Sequence, residues 1–334
     1  MPRPSHLAPA AAAVLLLAGC AASPSADLPA TIAPEDPAPA AHAVAVAPGE
    51  PPPFAFGGDC NAMVTEAEID ELVGADVIRI DPETGGSVSP VDVLGGITCG
   101  WGGGDYAFSA VLTVIPAGGL EDQIAEFSYP GGLTCWGQDA AGTGGACYFG
   151  RVTAGYWLGG LLQVEDGSGL LPADGIDAVA ALVEQRASEY PSTPVELPAG
   201  TWHPLDCTAL ADALADETST DAPGATTGQT SGGYLGPIPL GAEAAVGFAR
   251  CTWSDPPGFT TDLTPGGGWA MARLTDAAPI EVEGASAAVL QEHPGGLDRI
   301  IATDGVNLAQ VTVPESSAPA EAAAFLALVM RVAG

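Results

Sequence analysis

Cys20 is the residue whose surroundings most directly prescribe chemistry. It ends the run Leu17-Ala18-Gly19-Cys20, behind an apolar stretch from Ala10 to Leu17 and a short basic start at Arg3 and His6. The apolar stretch is too short for a permanent bilayer span and fits a secretory leader. The last four residues read as a bacterial lipobox. There the cysteine thiol takes a diacylglyceryl group and, after cleavage, becomes the new N-terminus. Small residues at Ala18 and Gly19 leave the cleavage point open to a peptidase. Two acyl chains anchor stably where one is marginal. The leader is therefore expected at 1–19 and lipidation at Cys20.

The chain has seven cysteines, so a lipid on Cys20 leaves an even number: Cys60, Cys99, Cys135, Cys147, Cys207 and Cys251. Export to an oxidising compartment makes these read as disulfides rather than metal ligands. Other reactive types are sparse. Behind the leader lie three histidines: His42, and His203 and His293, each beside a proline. The run Gly284-Ala285-Ser286-Ala287-Ala288 lacks the closing glycine of a nucleophile elbow. Glycine runs at 102–104 and 266–268 have no phosphate-loop lysine and read as turns. Lysine is absent altogether, which excludes lysine-based catalysis. Carboxylates are so abundant that no catalytic pair stands out. No catalytic residue, cofactor or metal is expected. Behind the leader seven arginines face 41 acidic residues. That removes the basic footprint of a nucleic-acid binder. Anionic headgroups repel such a chain, so the lipid must do the anchoring.

The elements that position these residues come twice. Residues 20–53 are dominated by alanine and proline, close on Pro51-Pro52-Pro53, and read as a disordered stalk behind the lipidated cysteine. Two segments of similar length follow, 54–190 and 198–334, joined by a linker at 191–197. They share an ordered series of short matches. Asp59-Cys60 answers Asp206-Cys207, and Cys99-Gly100-Trp101 answers Cys251-Thr252-Trp253. Pro130-Gly131-Gly132-Leu133 answers Pro294-Gly295-Gly296-Leu297. Thr153 to Leu158 answers Thr303 to Leu308, which sets Trp157 against Asn307. Pro172-Ala173-Asp174 answers Pro319-Ala320-Glu321. Matches in one order argue for duplication. In the first copy Thr65-Glu66-Ala67-Glu68 is a capping box opening a helix through Leu72. Strands follow at 97–101 and 107–115, a helix at 120–127, and a hairpin at 148–153 and 156–164. A final helix at 176–190 carries Ile176, Val179, Ala180 and Val183 on one face. The fold class is α+β: two tandem domains, each an antiparallel sheet packed with helices. The copies differ by an insertion at 134–147 in the first. The second has a Thr/Gly-rich stretch at 217–233 and what reads as a longer hairpin connection at 254–268.

Duplication selects the crosslinks. The second copy holds just Cys207 and Cys251, which pair if each domain closes on itself. The repeat then pairs Cys60 with Cys99, and Cys135 is left with Cys147. Trp101 and Trp253 lie two residues beyond a bridged cysteine, on the same strand face, and are expected to pack over the disulfides. If shared features serve folding, function lies where the copies differ. That singles out Trp136, inside the ring closed by Cys135 and Cys147, and Trp157, beside the hairpin turn, as a candidate binding surface. The plainer expectation is that the two tryptophans pack on each other to bury the insertion.

A lipobox, a low-complexity stalk, an Asp-Cys before a helix and a later Cys-x-Trp resemble secreted actinobacterial lipoproteins of uncharacterised function. A related look is shared by the extracellular sensor domains of mycobacterial receptor serine/threonine kinases. The likeness covers about 54–334 and implies an α+β fold and an envelope location; it carries no catalytic residues. The expected function is a non-catalytic binding, sensing or scaffolding lipoprotein on the outer face of the cytoplasmic membrane. Its partners would be the membrane, through the lipid, and an envelope protein or wall component. The alternatives are a solute-binding lipoprotein of a transporter and a wall-acting hydrolase.

Overall fold

The computed structural model describes residues 42–80, 88–103, 106–137, 144–164, 168–203, 205–218, 224–228, 236–254, 257–292, 297–314 and 317–334. The leader, Cys20, the first part of the expected stalk, His293 and the Pro-Gly-Gly at 294–296 lie outside these residues.

The first repeat begins with α1 (Cys60–Met63) and α2 (Glu66–Val73). Thr65 caps α2 as its sequence foretells: its hydroxyl accepts from the Glu68 N–H, and Glu68 accepts from the Thr65 N–H at 2.8 Å. Next come β2 (Ile78–Ile80), α3 (Pro90–Val93), β3 (Ile97–Gly103), β4 (Tyr106–Pro116), α4 (Glu121–Phe127), β5 (Leu133–Trp136), β6 (Gly145–Thr153), β7 (Tyr156–Val164) and α5 (Pro172–Arg186). Ahead of the repeat lies the short strand β1 (Val44–Ala45). After β8 (Val195–Glu196), the second repeat runs α6 (Cys207–Thr218), β9 (Ala225–Thr227), α7 (Pro237–Val246), β10 (Ala249–Ser254), β11 (Pro257–Thr264), β12 (Ala278–Pro279), β13 (Ala287–Gln291), β14 (Asp298–Thr303), β15 (Leu308–Val313) and α8 (Pro319–Ala333).

The two main sheets are antiparallel and share an inner order. The first runs β2-β3-β4-β7-β6-β5 and the second β12-β13-β14-β15-β11-β10-β9. The run β3-β4-β7-β6 is thus repeated as β10-β11-β15-β14. The second hairpin is no longer than the first. Ser254 pairs with Pro257 where Gly103 pairs with Tyr106, and β11 fills much of the span expected to be connection. Part of the Thr/Gly-rich stretch forms β9, which pairs with β10.

Alternation gives each sheet two apolar faces. One face of the first sheet packs under α1, α2 and α5, around Cys99, Trp101, Leu112 and Leu158. The matching face of the second packs under α6 and α8, around Cys251, Trp253, Leu263 and Val311. The opposite faces meet in a third apolar cluster, where Ile115, Leu120 and Trp157 of the first repeat join Ile238, Ala242, Trp269 and Leu308 of the second. The helix α7 belongs to the second repeat in sequence but packs on α3, α4 and the strands β4, β6 and β7 of the first. Its approach is close. A Cβ on Gly241 would stand 2.5 Å from two ring carbons of Trp157, and one on Gly159 would stand 3.2 Å from Ile238. The two repeats accordingly pack against each other within one compact unit.

The linker region also departs from expectation. Val44 donates its N–H to the Pro194 carbonyl at 2.9 Å, and β1 pairs in parallel with β8. The end of the expected stalk is therefore built into the fold, and Pro52 and Phe56 are buried. Among the described residues no helix is long and apolar enough to cross a membrane.

Candidate functional site

The three bridges are those selected by duplication: Cys60–Cys99, Cys135–Cys147 and Cys207–Cys251, with Cα separations of 5.8, 4.1 and 5.5 Å. Trp101 and Trp253 are buried in the same clusters as their neighbouring disulfides, and the Trp253 indole donates to the Thr261 hydroxyl at 2.9 Å.

The proposed tryptophan surface does not form. Trp157 is wholly buried between the repeats, whereas Trp136 is 46% exposed. Trp136 pairs with Ala146, which pairs with Gln163, six residues along β7 from Trp157. At about 3.3 Å per residue the two lie about 20 Å apart along the strand. Neither covers the other: Trp136 packs on Tyr148, with ring centroids 4.8 Å apart. The match of Trp157 to Asn307 also shifts by one residue. Cys99 pairs with Leu112 and Cys251 with Thr261, so Ile115 corresponds to Thr264. Their partners across the next strand are Trp157 and Leu308. Asn307 therefore answers Tyr156. It is buried, accepts from the Trp202 and Gly266 N–H groups and donates to the Gly200 carbonyl at 3.0 Å.

The same register exposes a row of polar residues that sequence inspection passes over. Arg250 pairs with Asp262, and Asp262 with Gln310, so three neighbouring strands present them side by side on the inner face of the second sheet. The equivalent row in the first repeat is Thr98, Thr113 and Gly159. There the two hydroxyls are 3.2 Å apart and the chemistry is neutral. In the second repeat Arg250 donates from Nε and Nη2 to the two carboxylate oxygens of Asp262, each at 2.6 Å, a two-pronged charge-assisted pair. Gln310 donates from Nε2 to Asp262 Oδ2 at 3.3 Å.

This row is the floor of a cleft of about 160 Å3 between the repeats. Ser89, Val91 and Thr98 come from the first repeat; Pro239 and Glu243 come from α7; Phe248, Thr264 and Leu308 complete the second-repeat side. Most of the wall is apolar, and two acceptors stand out. Gln310 is 5% exposed, and its Oε1 has no hydrogen-bond partner. A buried acceptor left unpaired is costly and calls for an explanation. The second is Glu243. Burial pushes its carboxyl up to about 7; Arg250 opposes that shift and Asp262 adds to it. Hydrogen bonds to Asp262 hold the Arg250 guanidinium more firmly protonated than usual, against the effect of burial. Asp92, which accepts from the cleft residue Ser89, is also raised by burial, opposed by those hydrogen bonds and by the charge of Arg273. No group of side chains suited to a metal ion occurs among the described residues.

Arg250 stands next to a core cysteine, and in a strand that places it on the opposite face. This signal was present in the sequence. The missing knowledge was that the first repeat covers that face. In comparisons with known proteins, the chain matches no family model, no curated sequence and no solved structure.

Proposed function

We propose that the chain is a lipid-anchored lipoprotein on the outer face of the cytoplasmic membrane, whose folded part binds or senses a small ligand in the cleft between its repeats. The observation that carries the binding role is the unpartnered, buried Oε1 of Gln310, set with Glu243 in a cavity whose wall is mostly apolar. Convergent polar groups in an apolar pocket are the usual form of a ligand site. The same cleft would serve capture of a solute for a transporter. A wall-acting hydrolase is the reading that a carboxyl of raised pKa would favour. It also needs a second carboxylate free to act, and the other acidic residue of the lining, Asp262, is held by Arg250.

The test is a thermal-shift panel of small metabolites on two proteins, the natural chain and Thr98→Phe. Thr98 lines the cleft from a half-buried position, so phenylalanine fills the space. Compounds that stabilise the natural chain should lose that effect in the variant. Equal stabilisation of both proteins by every active compound would remove the cleft from the account. The anchor rests on the lipobox and has its own expected outcome. In cells fed a labelled fatty acid, Cys20→Ser should abolish incorporation. Undiminished label in that variant would refute lipidation at this residue.

A further inference from the structure

Resting on the reading of the cleft as a ligand site, we infer that its ligand is a small organic cation: a compact apolar body carrying one protonated amine. The size comes first. A cavity of about 160 Å3 is close to the roughly 150 Å3 that accepts a benzene ring. Val91, Pro239, Phe248 and Leu308 offer such a body an apolar seat. The polar end decides the charge. Arg250 already meets both oxygens of Asp262, and that pair is internally neutral. An anionic ligand would have to compete with Asp262 for the guanidinium. What lacks a partner is acceptor capacity. Gln310 Oε1 is buried without a donor, and among the described residues only charge interactions, with Arg250 and Asp262, act on the Glu243 carboxyl. An ammonium group supplies three donors and one positive charge. It satisfies Gln310 and neutralises Glu243, whose ionised form is otherwise disfavoured by burial. A neutral alcohol of the same shape supplies one donor and no charge.

The experiment is isothermal titration of the full chain, in detergent and with its three disulfides intact. The probes are benzylamine, benzyl alcohol and benzoate. One benzylamine should bind per chain, benzyl alcohol at least tenfold more weakly, and benzoate without measurable heat. Glu243→Gln, which keeps shape and loses charge, should weaken benzylamine at least tenfold and narrow its margin over benzyl alcohol. If benzyl alcohol or benzoate matches benzylamine on the natural chain, the cation class is overturned while the cleft stands as a binding site. That comparison needs no variant. Benzylamine binding that is unchanged in Thr98→Phe, or that takes several molecules per chain, is attraction to the acidic surface and overturns the proposal. If none of the probes binds, the cation class also falls, and the metabolite panel alone then decides the cleft.

Discussion

Trp157→Ala should lower the melting midpoint on the order of 10 °C, because loss of a buried aromatic costs about 3–5 kcal/mol and each kcal/mol moves a unit of this size by about 2–4 °C. The side chain is wholly buried and belongs to the cluster that joins the two repeats. Its surroundings cannot close the void, since two of the positions facing it, Gly150 and Gly241, have no side chain to move. Its indole Nε1 has no hydrogen-bond partner. Trp157→Phe should therefore recover much of the loss, as it keeps one aromatic ring in the site and discards an unpaired donor. Trp136→Ala, at an exposed position, should change the midpoint far less. Differential scanning calorimetry of the three variants checks the order. A Trp136 effect equal to that of Trp157 would contradict the burial on which the argument rests.

The second large effect is expected from the bridge that ties α6 to β10. Its cysteines are 44 residues apart in sequence, so the chain-entropy model gives it about 4 kcal/mol. The bridge between Cys135 and Cys147 spans 12 residues, for about 3 kcal/mol on the same model. Cys207→Ala with Cys251→Ala should also disturb packing, because both sulfurs lie in the interior of the second repeat. Cys135 is half-buried on an edge strand. Urea unfolding of the two double variants should place the Cys207/Cys251 protein well below the Cys135/Cys147 protein in midpoint. The reverse order would show that loop length and burial do not govern these crosslinks.

Features fixed by local pattern were legible in the sequence. The capping box at Thr65, the hairpin at 153–156 and the cysteine pairing follow from neighbouring residues or from the duplication. The cleft was not legible, for a physical reason. Arg250, Asp262 and Gln310 become neighbours through strand register, and their face becomes an interior through contact with the first repeat. A single sequence states neither. Trp157 shows how small the margin is. Aligning the two hairpins by their threonines sets it opposite a polar residue and suggests a dispensable side chain. The pairing of Cys99 and Cys251 with their partner strands moves the alignment by one residue, and Trp157 becomes the counterpart of Leu308. A one-residue shift exchanges the two faces of a strand. The reading that function lies where the copies differ pointed to a different pair of residues from the row that the structure brings together.

The pairing of β1 with β8 has a mechanical consequence. Under the anchoring proposed at Cys20, a pull on the body would enter the described fold through β1. It meets the hydrogen bonds of Val44 to Pro194 and of Val46 to Glu196, in the segment that joins the halves. Under that proposal the pull is delivered to the segment between the repeats and not to either main sheet. Both repeats would then be carried on one short pair of parallel strands.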